Sequence, residues 1–202
     1  MDTAVLFVLV LVPSVILHEV SHGAVAHLFG DDTAKRAGRL TLNPVPHVDP
    51  IGTIALPALL AIAGGGAVFG YAKPVPVRPS QMRRPRDHGL LTSLAGPATN
   101  VVLAVLAALA LRATGAAEGT TLREVLVAVG VVNVVLAAFN LVPLPPLDGS
   151  AVVERLLPVR ALPAWHRLRR WSMPLVFAVV LLVPGALTRL FRAALSVWSL
   201  LL

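Results

Sequence analysis

Apolar residues in this chain gather into long runs, broken by short stretches rich in arginine, proline and glycine. The runs are Ala4–Phe29, Ile51–Gly70, Gly89–Leu111 and Leu122–Leu141, followed by two shorter ones, Trp171–Val183 and Ala186–Leu202. At 1.5 Å per residue, a helix of about 20 apolar residues matches a hydrocarbon core about 30 Å thick. The pattern therefore predicts an all-α polytopic membrane protein with about five to six transmembrane segments. One run does not fit a simple crossing. Ile51–Gly70 contains Pro57 and the triplet Gly64-Gly65-Gly66, which suit a broken, re-entrant segment buried in protein. Basic loops flank it on both sides (Lys35, Arg36 and Arg39 before; Lys73, Arg78, Arg83, Arg84 and Arg86 after), so the charge rule has it leave and return by the cytoplasmic face. Two stretches beside it, Gly38–Pro44 and Tyr71–Val77, have strand-like patterning and predict short membrane-associated β-strands. Ala151–Arg170 is amphipathic and basic and predicts a surface helix, with Trp165 and Trp171 at the interfacial belt. The remainder, split by Pro184-Gly185, predicts a closing hairpin, so residues 1–202 form one domain whose core is 4–149.

Composition supports the membrane reading. The chain is 56% hydrophobic and 13% charged, against about 25% charged in soluble domains. Its net charge of +7 sits in short loops between apolar runs, which points to cytoplasmic loops and argues against nucleic acid as a partner. Cysteine is absent, which excludes disulfides, a thiolate nucleophile and thiolate metal ligands. The first run lacks a basic leader and carries ionisable residues, so it is expected to stay as a span rather than be cleaved as a signal peptide.

Apart from His27, those ionisable residues are His18, Glu19 and His22, in the stretch His18-Glu19-Val20-Ser21-His22. Residues i and i+4 share a helix face, so both imidazoles can reach one metal ion, with Glu19 beside it to accept a proton from water. Charged groups at membrane depth are costly and are functional candidates for that reason. A catalytic zinc has three protein ligands and an open position. The natural third ligand is Asp148, in Asn140-Leu141-Val142-Pro143-Leu144-Pro145-Pro146-Leu147-Asp148-Gly149, where prolines break the helix at the membrane boundary. Topology sets a condition. His18, His22 and Asp148 share a leaflet only if Ile51–Gly70 does not cross; otherwise Asp148 is not the ligand. Asn140, and secondarily Asn100, are the neutral amides available to stabilise developing negative charge. His47 and Asp49, between prolines, are read as turn builders rather than a second metal pair.

Taken together, His18-Glu19-x-x-His22-Gly23, the Gly38 to Pro44 stretch, Gly70-Tyr71-Ala72-Lys73-Pro74, Gly96-Pro97-x-x-Asn100 and Asn140-x-x-Pro143 leading to Leu147-Asp148-Gly149 resemble the site-2 protease family of zinc intramembrane proteases, in a short form without a PDZ or CBS domain. The resemblance implies one Zn2+ per chain held by His18, His22 and Asp148, and Glu19 as catalytic base. It also implies a site opening towards the cytoplasm in a multi-pass cell-membrane protein, and substrates that are transmembrane segments of other proteins. The alternative from another class is a zinc or proton transporter using the same His/Asp/Glu cluster as a transit site.

Overall fold

The computed structural model describes residues 2–55, 72–172, 174 and 184–202. Among them are seven α-helices and no β-strand: α1 (Thr3–Leu28), α2 (Thr33–Arg36), α3 (Pro85–Thr114), α4 (Thr121–Asn140), α5 (Ser150–Leu156), α6 (Leu162–Leu168) and α7 (Pro184–Ser199). The sequence sets the helix ends. Asp2 caps α1 by accepting from the Ala4 N–H at 2.8 Å, and Thr120 caps α4. Pro85 takes the first position of α3, where its missing N–H is harmless. Gly115, at φ 54°, closes the other end of α3 in the left-handed conformation.

α1, α3 and α4 pack on one another, and among the described residues these three are long and apolar enough to cross a membrane. Their packing is inverted relative to a soluble bundle. Small residues line the seams (Ala26, Ala104, Ala107, Ala108, Ala128 and Ala137 are buried), whereas Val8, Leu9, Val102, Leu106 and Leu109 face outwards. Lipid is as apolar as leucine, so membrane helices gain by close backbone approach rather than by hiding large side chains. α7 joins the bundle through Trp198, whose Nε1–H donates to the Ala104 carbonyl at 2.9 Å and whose ring occupies the space that Gly130 leaves open.

The chain leaves α1 and re-enters α3 at one end of the bundle, because the Arg83 N–H donates to the Phe29 carbonyl at 3.2 Å. α1 and α4 consequently run in the same direction, with α3 antiparallel between them in sequence. The expected re-entrant segment falls largely on residues 56–71, and the first arm of the closing hairpin on 175–183; both lie outside the described residues, as does part of the expected count of five to six spans.

Two expectations need correction. Neither predicted strand forms among the described residues. Asn43 folds back instead, accepting from the Val45 N–H at 3.0 Å, and the Thr41 carbonyl accepts from His47 Nε2 at 2.9 Å. Residues 72–78 adopt no regular secondary structure, and Pro74 and Pro76 have no N–H to give a ladder. The predicted surface helix 151–170 is also broken, into α5, α6 and short 3-10 turns. Pro158 and Pro163 interrupt it, and Leu157 before Pro158 is extended at ψ 139°.

Asp31 ties the end of α1 to the segment that ends at Arg78. Its carboxylate accepts from the Thr33 N–H at 2.9 Å, from the Thr33 hydroxyl and from the Arg78 N–H. Burial pushes this carboxyl up, but the Thr33 and Arg78 donors and the Arg36 charge outweigh it and hold the group below its ordinary value. A depressed folded value contributes stability that is complete above the unfolded value near pH 4 and is lost as pH falls through the folded one. Thermal midpoints of detergent-solubilised protein between neutral pH and pH 3 should therefore fall more for wild type than for Asp31→Asn, which lacks the titrating charge. Parallel curves would show that Asp31 does not carry this linkage.

Candidate metal centre

α1 brings His18 and His22 to one face, and the turn after α4 brings Asp148 to meet them. His18 Nε2 lies 3.1 Å from His22 Nε2, and Asp148 Oδ2 lies 3.2 and 3.4 Å from those two nitrogens. All three residues offer their ligand atoms within 4.8 Å of one another, and both imidazoles are buried. The aspartate and the histidines thus lie together at one end of the bundle.

Does this trio suit a metal? The His22 Nδ1–H donates to the Thr92 carbonyl at 2.7 Å, and a carbonyl can only accept, so His22 Nε2 presents a bare lone pair to the site. Asp148 Oδ2 is buried without a hydrogen-bond partner. A buried acceptor with no donor is costly unless a cation meets it. The separations agree with that answer, because ligands about 2.1 Å from a tetrahedral zinc lie about 3.4 Å apart. The donor set, two imidazole nitrogens and one carboxylate oxygen, is one zinc accepts.

α3 provides the back wall. A Cβ on Gly96 would lie 2.4 Å from His22 Nε2 and 2.6 Å from His18 Nε2, so only glycine leaves room for both rings. The amide oxygen of Asn100, one helical turn on, is 2.6 Å from His18 Nδ1. Gly149 is equally constrained: a Cβ there would meet the Leu141 carbonyl oxygen at 2.2 Å, while its N–H donates to the Asn140 carbonyl at 2.7 Å. The tight turn this permits is what delivers Asp148. Arg86, near the start of α3, holds the next element by donating to the carbonyls of Arg155 and Leu157 at 2.9 and 2.6 Å, and Arg155 pairs with Asp87 at 2.7 Å. A cavity of about 360 Å³ lies alongside, lined among others by Arg86, Leu90, Ser93, Leu147, Asp148 and Glu154.

Glu19 is partly exposed, and its Oε2 accepts from the Val75 N–H at 2.8 Å. Flanked by Pro74 and Pro76, Val75 has the one N–H in that tripeptide. The two amides expected to face a reacting oxygen are engaged elsewhere. Asn140 Nδ2 donates to the Leu136 carbonyl of its own helix at 3.0 Å. Asn100 is fully buried, with Nδ2 donating to Asn133 Oδ1 at 2.7 Å and Oδ1 turned to His18. Asn133, Thr92 and Val75 were missed by sequence reasoning. The polar residue in an apolar run was a signal for Asn133; Thr92 and Val75 act through backbone atoms and left none.

His47, also buried, faces the Thr41 carbonyl rather than the trio, in keeping with a turn-building role.

Comparison with known proteins places these residues in context. The model of Peptidase family M50 matches residues 112–183, which include Asp148. YwhC of Bacillus subtilis (strain 168), named a "putative zinc metalloprotease", is 45% identical over 158 residues, which is 75% of this chain and 68% of YwhC. Two proteins of the same descriptive name, both called Rip2, are also similar. That of Mycolicibacterium smegmatis is 33% identical over 88% of this chain and 66% of its own length; that of Mycobacterium tuberculosis (strain H37Rv) is 34% identical over 70% and 53%. The chain therefore spans about half to two thirds of the length of these relatives. No solved structure gives a significant match.

Proposed function

The chain belongs to peptidase family M50, the site-2 protease family, and from that premise we propose that it is an intramembrane zinc endopeptidase cutting peptide bonds in or near transmembrane segments of other proteins. The observation that carries the reading is the buried meeting of two imidazole nitrogens and an unpartnered carboxylate oxygen at the edge lengths of a zinc tetrahedron. His18, His22 and Asp148 would hold the ion. When bound, zinc supplies Lewis acidity that polarises a carbonyl and makes water nucleophilic near neutral pH.

The remaining chemistry belongs to the chain. Glu19 takes the proton that the attacking water releases and passes it to the leaving amine nitrogen. The Val75 N–H fixes the orientation of that carboxylate through Oε2, so the base does not have to be ordered during the reaction. Gly96 keeps the space before the imidazoles clear of side chain. A substrate helix hides its carbonyls in its own hydrogen bonds, so the cleaved stretch has to be unwound before the site can use it. Lys35, Arg36, Arg78, Arg83 and Arg84, gathered at the end of the bundle nearest the site, support a multi-pass cell-membrane protein whose site faces the cytoplasm. Neither the contacts nor the relatives favour the transport alternative.

Metal analysis of purified wild type and Asp148→Ala tests this directly. Wild type should carry close to one zinc per chain. The variant should lose zinc affinity by well over the roughly 10–100-fold that a residue merely supporting a ligand is worth. Equal zinc retention in both proteins would remove Asp148 from the centre.

A further inference from the structure

We infer that Asn133 is a positioning residue for the metal centre, and that through Asn100 it dictates which nitrogen of His18 carries the proton. The inference rests on the zinc reading above. Asn100 and Asn133 are fully buried, on α3 and α4 respectively, in spans where an unpaired amide is expensive. Their hydrogen bonds form one directed chain across three helices, and its direction is fixed at its far end.

Asn133 Nδ2 lies 2.9 Å from the Val129 carbonyl and 3.0 Å from Ser14 Oγ of α1. The backbone carbonyl can only accept, so the nitrogen of the Asn133 amide must face it. That turns Asn133 Oδ1 towards α3, where Asn100 Nδ2 donates to it at 2.7 Å. Asn100 then has only its oxygen left to present to His18, at 2.6 Å, and the imidazole must be the donor. The proton of neutral His18 therefore sits on Nδ1, and the Nε2 lone pair points at His22 and Asp148. His22 reaches the same state by a shorter route, its Nδ1–H donating straight to the Thr92 carbonyl. The outer hydrogen bond of a ligating histidine sets both its tautomer and its ring orientation.

Without Asn133 this constraint lapses. Asn100 can turn its amide over and offer N–H to His18 Nδ1, which drives the proton to Nε2, where it blocks ligation. Asn133→Leu, apolar and with the same number and branching of side-chain heavy atoms though somewhat bulkier, removes the constraint.

The experiment uses the full chain in detergent or nanodiscs, as wild type, Asn133→Leu, Asn100→Leu and the double variant. Zinc affinity is read by competition with a chromogenic chelator, and ligand geometry by the visible spectrum after cobalt substitution. Asn133→Leu should bind zinc about 10–100-fold more weakly, with an altered cobalt spectrum. The double variant should bind no more weakly than Asn100→Leu alone, because both changes cut one chain. Wild-type affinity and an unchanged spectrum in Asn133→Leu would overturn the inference, as would fully additive losses. A role confined to bracing the helices would lower thermal stability and leave the cobalt spectrum as it was, which also counts against it. Should Asn133→Leu not fold, nitrogen NMR of histidine-labelled, metal-free wild type gives the answer directly: His18 protonated on Nδ1 supports the inference, and on Nε2 refutes it. Failure of wild type to bind zinc at all would instead sink the functional reading, which this tautomer measurement does not depend on.

Discussion

Glu19→Gln is expected to abolish cleavage of a membrane-spanning substrate while zinc content stays near one per chain. Glutamine has the same shape, and its amide oxygen can still accept from the Val75 N–H, so the local geometry survives. What it cannot do is take a proton. General base catalysis contributes about 10²–10⁴ in rate, and in the proposed mechanism the base would also return the proton to the leaving nitrogen, so the loss should reach at least the upper end. Cleavage in reconstituted vesicles, with metal analysis of the same preparation, gives both readouts. Wild-type cleavage by the variant would transfer the base role elsewhere. Loss of zinc together with cleavage would make Glu19 a structural part of the centre.

The second large effect is expected from a single methyl group. Gly96→Ala puts a carbon 2.4 Å from His22 Nε2 and 2.6 Å from both Cε1 and Nε2 of His18, well inside van der Waals contact. The rings cannot simply retreat, because each is fastened behind: His22 to the Thr92 carbonyl and His18 to Asn100. The clash falls on the ligand atoms themselves. Overpacking of this kind costs about 1–3 kcal/mol, enough to separate the imidazoles without unfolding the bundle. The variant should retain its helical circular dichroism, lose most of its zinc and show no measurable cleavage. Full metal content with normal activity would mean that α3 can shift, and that Gly96 is there for helix packing alone.

How far these residues could be read from sequence depends on the range of the interaction. His18, Glu19 and His22 are legible because helix periodicity is local and the metal-binding spacing follows from it. Asp148 needed a second argument, the sidedness of the basic loops, and α1 and α4 do run in the same direction. The ends of the three long helices follow from apolar length, capping residues and prolines. The strands were misjudged because alternation is only half of what a strand needs: Pro74 and Pro76 remove the donors, and Asn43 turns its own segment back. The partners of the asparagines were hidden for a different reason. A neutral amide in an apolar run signals a buried partner without naming it, and Asn100, Asn133 and Ser14 lie on separate helices. Asn140 looked available because it stands close to Asp148 in sequence, yet its amide bends back to Leu136. Gly96 was legible as part of the Gly96-Pro97-x-x-Asn100 motif, but what it makes room for is visible only once α1 lies across it.

The cavity beside Asp148 bears on where the reagents come from. Each bond broken by hydrolysis consumes one molecule of water, which hydrocarbon scarcely dissolves. On the proposed function, the cavity that Asp148, Ser93, Arg86 and Glu154 line would give that molecule a place from which to reach the site. Under the proposed function the polypeptide to be cut would arrive from the oily phase instead, towards which the bundle turns its outward-facing leucines and valines. The two reactants would then approach from different media, which would let a hydrolase work inside a membrane without flooding it.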